Sequence, residues 1–170
     1  FQVTSLFPNL SVRENLRLAA LGTSPRKAMN GWRLPAGDLA CAEVVDHVLE
    51  RLELTHVSGS AAGVLSHGQQ RRLEVGMALA ARPRAVFLDE PTSGMGVDDL
   101  GAMKRLIRGL VQDHTVVLIE HNMDIVMDIS DTITVMQQGK VLMEGAPADV
   151  RSDPRVRAAY LGNMITGGKG

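Results

Sequence analysis

The chain has 170 residues, 45% hydrophobic and 22% charged, with a formal net charge of −1 and one cysteine, Cys41. That length supports one ordinary globular core, the balanced charge exerts no global pull toward nucleic acid, and one thiol excludes an internal disulfide framework. No apolar run approaches the ~18 residues that span a bilayer and no secretory signal opens the sequence, so a cytosolic protein, or part of one, is expected.

Residues 1–11 read as a polar loop with Pro8 and Asn9. Ser11 is placed to cap a helix, with Glu14 three residues on completing a capping box. This helix should run to about Leu21, ahead of Gly22. Residues 22–38, GTSPRKAMNGWRLPAGD, read as an exposed loop or insertion. Asp38 is a candidate cap for the next helix, at 39–54, whose apolar face is Val44, Val45, Val48, Leu49 and Leu52. Residues 55–65 form a loop.

A helix from Gln69 to about Arg82 carries Leu73, Met77 and Ala80 on one face. A buried strand, Ala85–Asp89, follows. A turn with Pro91 and Gly94 leads to a helix near 98–112, then a strand at 115–119 and a helix near 122–129. Strands at 132–137 and 140–144 are joined by a hairpin turn at Gly139-Lys140, and short helices are expected at 147–152 and 154–161. The tail TGGKG is expected to be disordered. Apolar strands alternating with helices predict an α/β fold whose mostly parallel sheet is covered on both faces. Ligands of such sheets sit beyond the carboxyl ends of the strands, which here carry Asp89-Glu90 and Glu120-His121.

Three groups carry chemistry. Asp89 and Glu90 are two carboxylates directly after an apolar strand, costly to bury without partners. A hard cation such as Mg²⁺ suits the first, and the second can polarise an attacking water; an Asp-Glu-Pro helix start accounts for the pair equally well when it stands alone. His121 ends the next strand, and parallel neighbours would bring it near Glu90; alone it reads better as a core or helix-starting histidine. Ser66-His67-Gly68-Gln69 opens a helix, whose N-terminal N–H groups suit phosphate. Gly68 allows close backbone approach, while Ser66 and Gln69 add side-chain donors. His47 and His56 lack metal-ligand company, and His114 sits in a turn.

Order and spacing add weight. LSHGQQRRLE, then AVFLDEPTSG, then VVLIEHNMD is the layout of ATP-binding cassette ATPases, and the chain resembles that family over nearly its whole length. Leu65–Gln69 resembles the family signature, with His67 where glycine is commoner; AVFLDE resembles the Walker B strand; His121 falls at the switch histidine and Gln2 at the Q-loop glutamine. LFPNLSVRENL, EHNMDIVMDISD and GAPADVRSDPRVRAAYLG resemble ATPase subunits of branched-chain amino acid and urea-type importers. Lipopolysaccharide-export ATPases share some of that ending.

The resemblance implies a P-loop NTPase fold with a helical subdomain: Q-loop, helical subdomain and signature helix in 1–82, Walker B and switch region in 83–145, and C-terminal helices and tail in 146–170. It implies ATP and Mg²⁺ as cofactors. Glu90 would be the general base, Asp89 and Gln2 would serve the metal, His121 would sense the γ-phosphate, and Ser66, His67, Gly68 and Gln69 would face a partner's ATP. The implied partners are a second ATPase subunit, transmembrane permease subunits and, indirectly, a solute-binding protein, at the cytoplasmic face of the membrane, with no nucleic acid. The family's cradle, GxxxxGKS/T, surrounds none of Lys27, Lys104, Lys140 and Lys169. The chain is therefore expected to be the C-terminal part of such an ATPase, weak in ATP binding, negligible in hydrolysis and poorly soluble by itself. Gly96 stands where the family usually has Asp or Asn. A non-transport member of the superfamily, and a non-catalytic remnant that lends its signature to an intact partner, are the competing readings.

Overall fold

The computed structural model describes residues 6–22 and 39–161. The Gly- and Pro-rich loop after Gly22, the cap expected at Asp38 and the TGGKG tail lie outside the described residues. Two compact units divide between Ile119 and Glu120.

The first unit opens with α1 (Val12–Gly22). The capping box forms as the sequence predicts: Glu14 accepts from the Ser11 N–H at 2.8 Å, and Ser11 Oγ accepts from the Glu14 N–H at 3.1 Å. Helix α2 spans Leu39–Arg51 and ends short of the expected residue 54. The reason is a left-handed stop at Glu53, with φ 57°. The Glu53 N–H bonds to Glu50 O at 3.0 Å and the Leu54 N–H to Leu49 O at 3.1 Å, the paired bonds of a Schellman motif. Glu53 occupies the position usually given to glycine, and its carboxylate takes both Nε and an NH2 of Arg105 at 2.9 Å. Two short 3₁₀ turns, Thr55–Val57 and Ala62–Val64, fill the expected loop.

Helix α3 (His67–Ala80) packs on α1 and α2. Their shared core holds Leu16, Leu49, Leu52 and Leu73, all without exposed surface. Glycine is required at position 76 by this packing: a Cβ there would lie 2.3 Å from Leu52 Cδ1 and 3.1 Å from Leu16 Cδ2. Beyond α3 come β1 (Ala85–Asp89), α4 (Val97–Leu110) and β2 (Thr115–Ile119). The two strands pair in parallel, Ala85 opposite Thr115 through Asp89 opposite Ile119. β1 is not the fully buried strand expected. Val86 and Leu88 are buried, whereas Phe87 between them is 75% exposed, and Val117 and Ile119 of β2 are exposed too. Successive strand residues point to opposite faces, and Phe87, Val117 and Ile119 lie on the more exposed one.

The second unit contains α5 (Met123–Ile129), an antiparallel hairpin of β3 (Ile133–Gln137) and β4 (Lys140–Gly145), α6 (Pro147–Ser152) and a short turn α7 (Pro154–Val156) that widens into a π turn at Arg157–Leu161. Its core is Met123, Ile133, Val135, Val150 and Val156. The hairpin turn falls one residue earlier than expected, at Gln138-Gly139, both with positive φ (51° and 75°). Such paired left-handed residues match the twist of the strands. The Tyr160 hydroxyl donates to the Met136 carbonyl.

Asp153 caps α7 by accepting from the N–H groups of Arg155 and Val156 at 2.7 and 3.3 Å. The Arg155 guanidinium, aided by those two N–H groups, holds its carboxyl down at about 2, below its ordinary 3.8. The sign follows: the folded pKa is depressed, so the contribution is present above pH 3.8 and lost as pH falls through about 2. A ¹³C carboxyl titration should place the Asp153 midpoint near 2, moving up toward 3.8 in Arg155→Ala. A wild-type midpoint at 3.8 would remove this cap from the account.

Candidate functional site

The N-terminus of α3 is built by a second capping box. Ser66 Oγ accepts from the Gln69 N–H at 3.2 Å, and Gln69 Oε1 accepts from the Ser66 N–H at 3.0 Å. Both side chains spend their acceptors on the helix, which leaves the Ser66 O–H and the Gln69 amide N–H groups as donors, the polarity an anion needs. Gln70 Nε2 donates to Ala62 O at 3.1 Å and ties the start of the helix to the preceding turn.

Gly68 is buried, and its close approach is to the protein's own Asp99: a Cβ at 68 would lie 2.0 Å from Asp99 Cγ. Asp99 stands in the first turn of α4, where a carboxylate is favoured by the helix dipole. It also accepts from Arg72 NH1 at 3.3 Å, a side chain only 7% exposed. Gly68 therefore has a packing reason that the sequence reading, which assigned it to phosphate approach alone, did not contain. Gly96 is the N-cap of α4 and makes no side-chain cap bond.

At the end of β1, Glu90 adopts a left-handed backbone, φ 43°, which is costly for a residue with a side chain. Its N–H donates to Ile119 O at 2.9 Å, and its carbonyl accepts from the Ser93 N–H at 3.2 Å. From α3, Arg71 donates one NH2 to the main-chain carbonyls of Asp89 at 2.9 Å and Glu90 at 3.4 Å, while its other nitrogen pairs with Glu74 at 2.8 Å. His67, Gln70, Arg71, Glu74, Asp89, Glu90 and Ser93 together line a cavity of about 200 Å³.

The structure thus brings His67, Asp89 and Glu90 to one cavity, with Ser66, Gly68 and Gln69 at the adjoining helix start. Gln2 lies outside the described residues. His121 belongs to the second unit, where its side chain is 71% exposed and its N–H donates to Glu120 Oε2 at 3.2 Å. Asn122 caps α5 by accepting from the Ile125 N–H at 3.4 Å. Arg71 and Glu74 were missed in the sequence because an Arg/Glu pair three apart reads as a solvated helix face. The available signal was their place on the one helix between the signature and the acidic strand end.

Among the described residues no group of three or more His, Cys, Asp and Glu side chains is arranged to hold a metal ion. A donor set limited to the adjacent carboxylates Asp89 and Glu90 suits Mg²⁺, which takes one or two carboxylates and completes its shell with waters and phosphate oxygens.

A strand-end acidic pair beside a capped Ser-x-Gly-Gln helix start, on an α/β core, resembles the site of an ATP-binding cassette. The family model for the ABC transporter matches residues 1–93, more than half of the chain, and that for the branched-chain amino acid ATP-binding cassette transporter matches residues 140–164. The chain belongs to the ABC transporter family, as an ATPase domain. It is 39% identical to the high-affinity branched-chain amino acid transport ATP-binding protein BraF of Pseudomonas aeruginosa, over 95% of this chain and 66% of that protein. An ATP-binding cassette of an ABC transporter is similar in structure, with a TM-score of 0.77 at 30% identity over 94% of this chain and 66% of that one. The ADP conformation of the same cassette gives a TM-score of 0.71, also at 30% identity, over 91% of this chain and 64% of that one. The chain spans 66% of the length of the first of these relatives. No helix among the described residues is long and apolar enough to cross a membrane.

Proposed function

We propose that the protein is the ATP-binding and ATP-hydrolysing subunit that drives import of branched-chain amino acids or a related small solute. The observation that carries this reading is the shared cavity. Asp89 and Glu90 at the strand end line it together with His67 of α3, next to the capping box of Ser66 and Gln69. The similarity to BraF supplies the class of solute.

In this reading Glu90 takes a proton from the attacking water, a role that needs a carboxylate held in one direction. Its clamped backbone meets that need. Asp89 would hold Mg²⁺, which when bound would supply charge neutralisation at the phosphates. Ser66, His67, Gly68 and Gln69 face ATP held by a second ATPase subunit, so closure of the pair depends on nucleotide. His121 senses the γ-phosphate, and Gln2 links metal and water to the permease. The subunit works at the cytoplasmic face of the membrane, attached through permease subunits and served indirectly by a solute-binding protein. The P-loop lysine and its backbone cradle are not among these 170 residues.

The test is capture. Tagged protein recovered from detergent-solubilised membranes should bring down integral permease subunits and a second ATPase subunit. Recovery in a soluble complex without any permease would overturn the transport assignment and favour a non-transport member of the superfamily.

A further inference from the structure

The Arg71 side chain has no role in the proposed reaction, yet it joins α3 to the main chain at the end of β1. We propose that Arg71 is a positioning residue for Glu90: it holds the left-handed backbone that aims the Glu90 carboxylate, and it does so from the helix that begins with Ser66–Gln69.

The geometry runs in one direction. Glu74 fixes the Arg71 guanidinium through NH1 at 2.8 Å. The second nitrogen then reaches the carbonyls of Asp89 at 2.9 Å and Glu90 at 3.4 Å. Both partners of the ion pair are about four-fifths buried, with side chains 22% and 18% exposed, so this is not a freely solvated surface pair. Glu90 needs such support. Its φ of 43° is a conformation that persists in a residue with a Cβ only where the surroundings over-determine it. β2 supplies one restraint through Ile119 O, the turn supplies a second through the Ser93 N–H, and Arg71 supplies the third from a different element. A planar guanidinium anchored on one side by a carboxylate can hold both the carboxylate and the carbonyls at once; an ammonium can meet one of these groups but lacks the rigid fork.

This inference rests on the assignment of Glu90 as the base, and its test separates the two. The variants are Arg71→Met, which keeps the apolar stem, Arg71→Lys, which keeps the charge, and Glu90→Gln as the control. Two readouts are taken on the whole ATPase assembly: steady-state ATP turnover, and amide hydrogen exchange at Glu90 and Ser93 without nucleotide. Arg71→Met should lower kcat by about 10- to 100-fold with KM for ATP changed less than about twofold, the signature of misplacement rather than lost binding. Exchange at the Glu90 and Ser93 amides should quicken while exchange along α1 and α2 stays as in the wild type. Arg71→Lys should restore part of both. Wild-type exchange at Glu90 and Ser93 in Arg71→Met overturns the proposal, because the clamp is then not made by Arg71. Faster exchange with unchanged kcat also overturns it, because the clamp then has no bearing on the reaction. Unchanged turnover in Glu90→Gln removes the base assignment itself, an outcome that the exchange measurement does not share. A general fall in melting temperature with faster exchange throughout the first unit would show a merely structural arginine and count against the proposal.

Discussion

Glu90→Gln should abolish most ATP turnover, by about 10²- to 10⁴-fold in kcat, with nucleotide still bound. The amide has the shape of the carboxylate but cannot accept a proton from water. The Glu90 main chain is held by Ile119 O and the Ser93 N–H, and neither bond involves the carboxyl group. The left-handed backbone is as accessible to Gln as to Glu. The variant should therefore fold as the wild type does and accumulate the closed, ATP-bound pair of subunits. Phosphate release and gel filtration with Mg-ATP, both on the whole assembly, are the measurements. Turnover at the wild-type rate would take Glu90 out of the base role, leaving the left-handed turn at the end of β1 without a catalytic reason.

Leu52→Ala should cost about 2–5 kcal/mol of unfolding free energy. Leu52 has no exposed surface, and its Cδ1 occupies the space that the absent Cβ of Gly76 leaves on α3. Truncation removes the apolar burial and opens a void between α2 and α3 that the two helices, joined also through α1, can only partly close. Gly76→Ala supplies the test of mechanism. Alone it forces a methyl group to 2.3 Å from Leu52 Cδ1 and should destabilise by about 1–3 kcal/mol through overpacking. Together with Leu52→Ala the same methyl enters vacated space, and the two losses should fail to add by about 0.5–3 kcal/mol. Urea denaturation of the wild type and the three variants with a common m-value measures this. Strict additivity would show that Leu52 and Gly76 do not share one packing site.

The local elements were largely legible in the sequence because their signals are local. Ser11 and Glu14 lie three residues apart, and the cap they predict forms at the expected helix start; Ser66 and Gln69 form a second such box, and α3 starts at His67, two residues before the expected Gln69. Strand β1 was placed at its observed ends, because an apolar run between Pro83 and an acidic pair has few other uses. The misses are equally physical. α2 stops early because Glu53 takes a left-handed conformation, against its propensity, where its carboxylate meets Arg105 fifty-two residues away. The hairpin turn sits at Gln138-Gly139 rather than Gly139-Lys140 because two successive left-handed residues fit the strand twist, and glutamine gives no warning of it. β1 read as fully buried because VFL is apolar throughout, whereas burial depends on what lies over each face.

The sequence by itself determined the Ser11 helix start, the strand that ends in Asp89-Glu90, and the order of motifs by which the chain resembles its family. The first two follow from capping and periodicity, settled within a few residues along the chain, and the third is a resemblance of motifs. Only the tertiary structure decided that Gly68 is packed on Asp99, that Gly76 makes room for Leu52, and that Arg71 reaches the carbonyls of Asp89 and Glu90. It also decided that Glu90 holds a left-handed backbone between β2 and α3. Those relations join residues eighteen to thirty-one positions apart, where no local propensity acts and only the packing of one element on another selects the geometry.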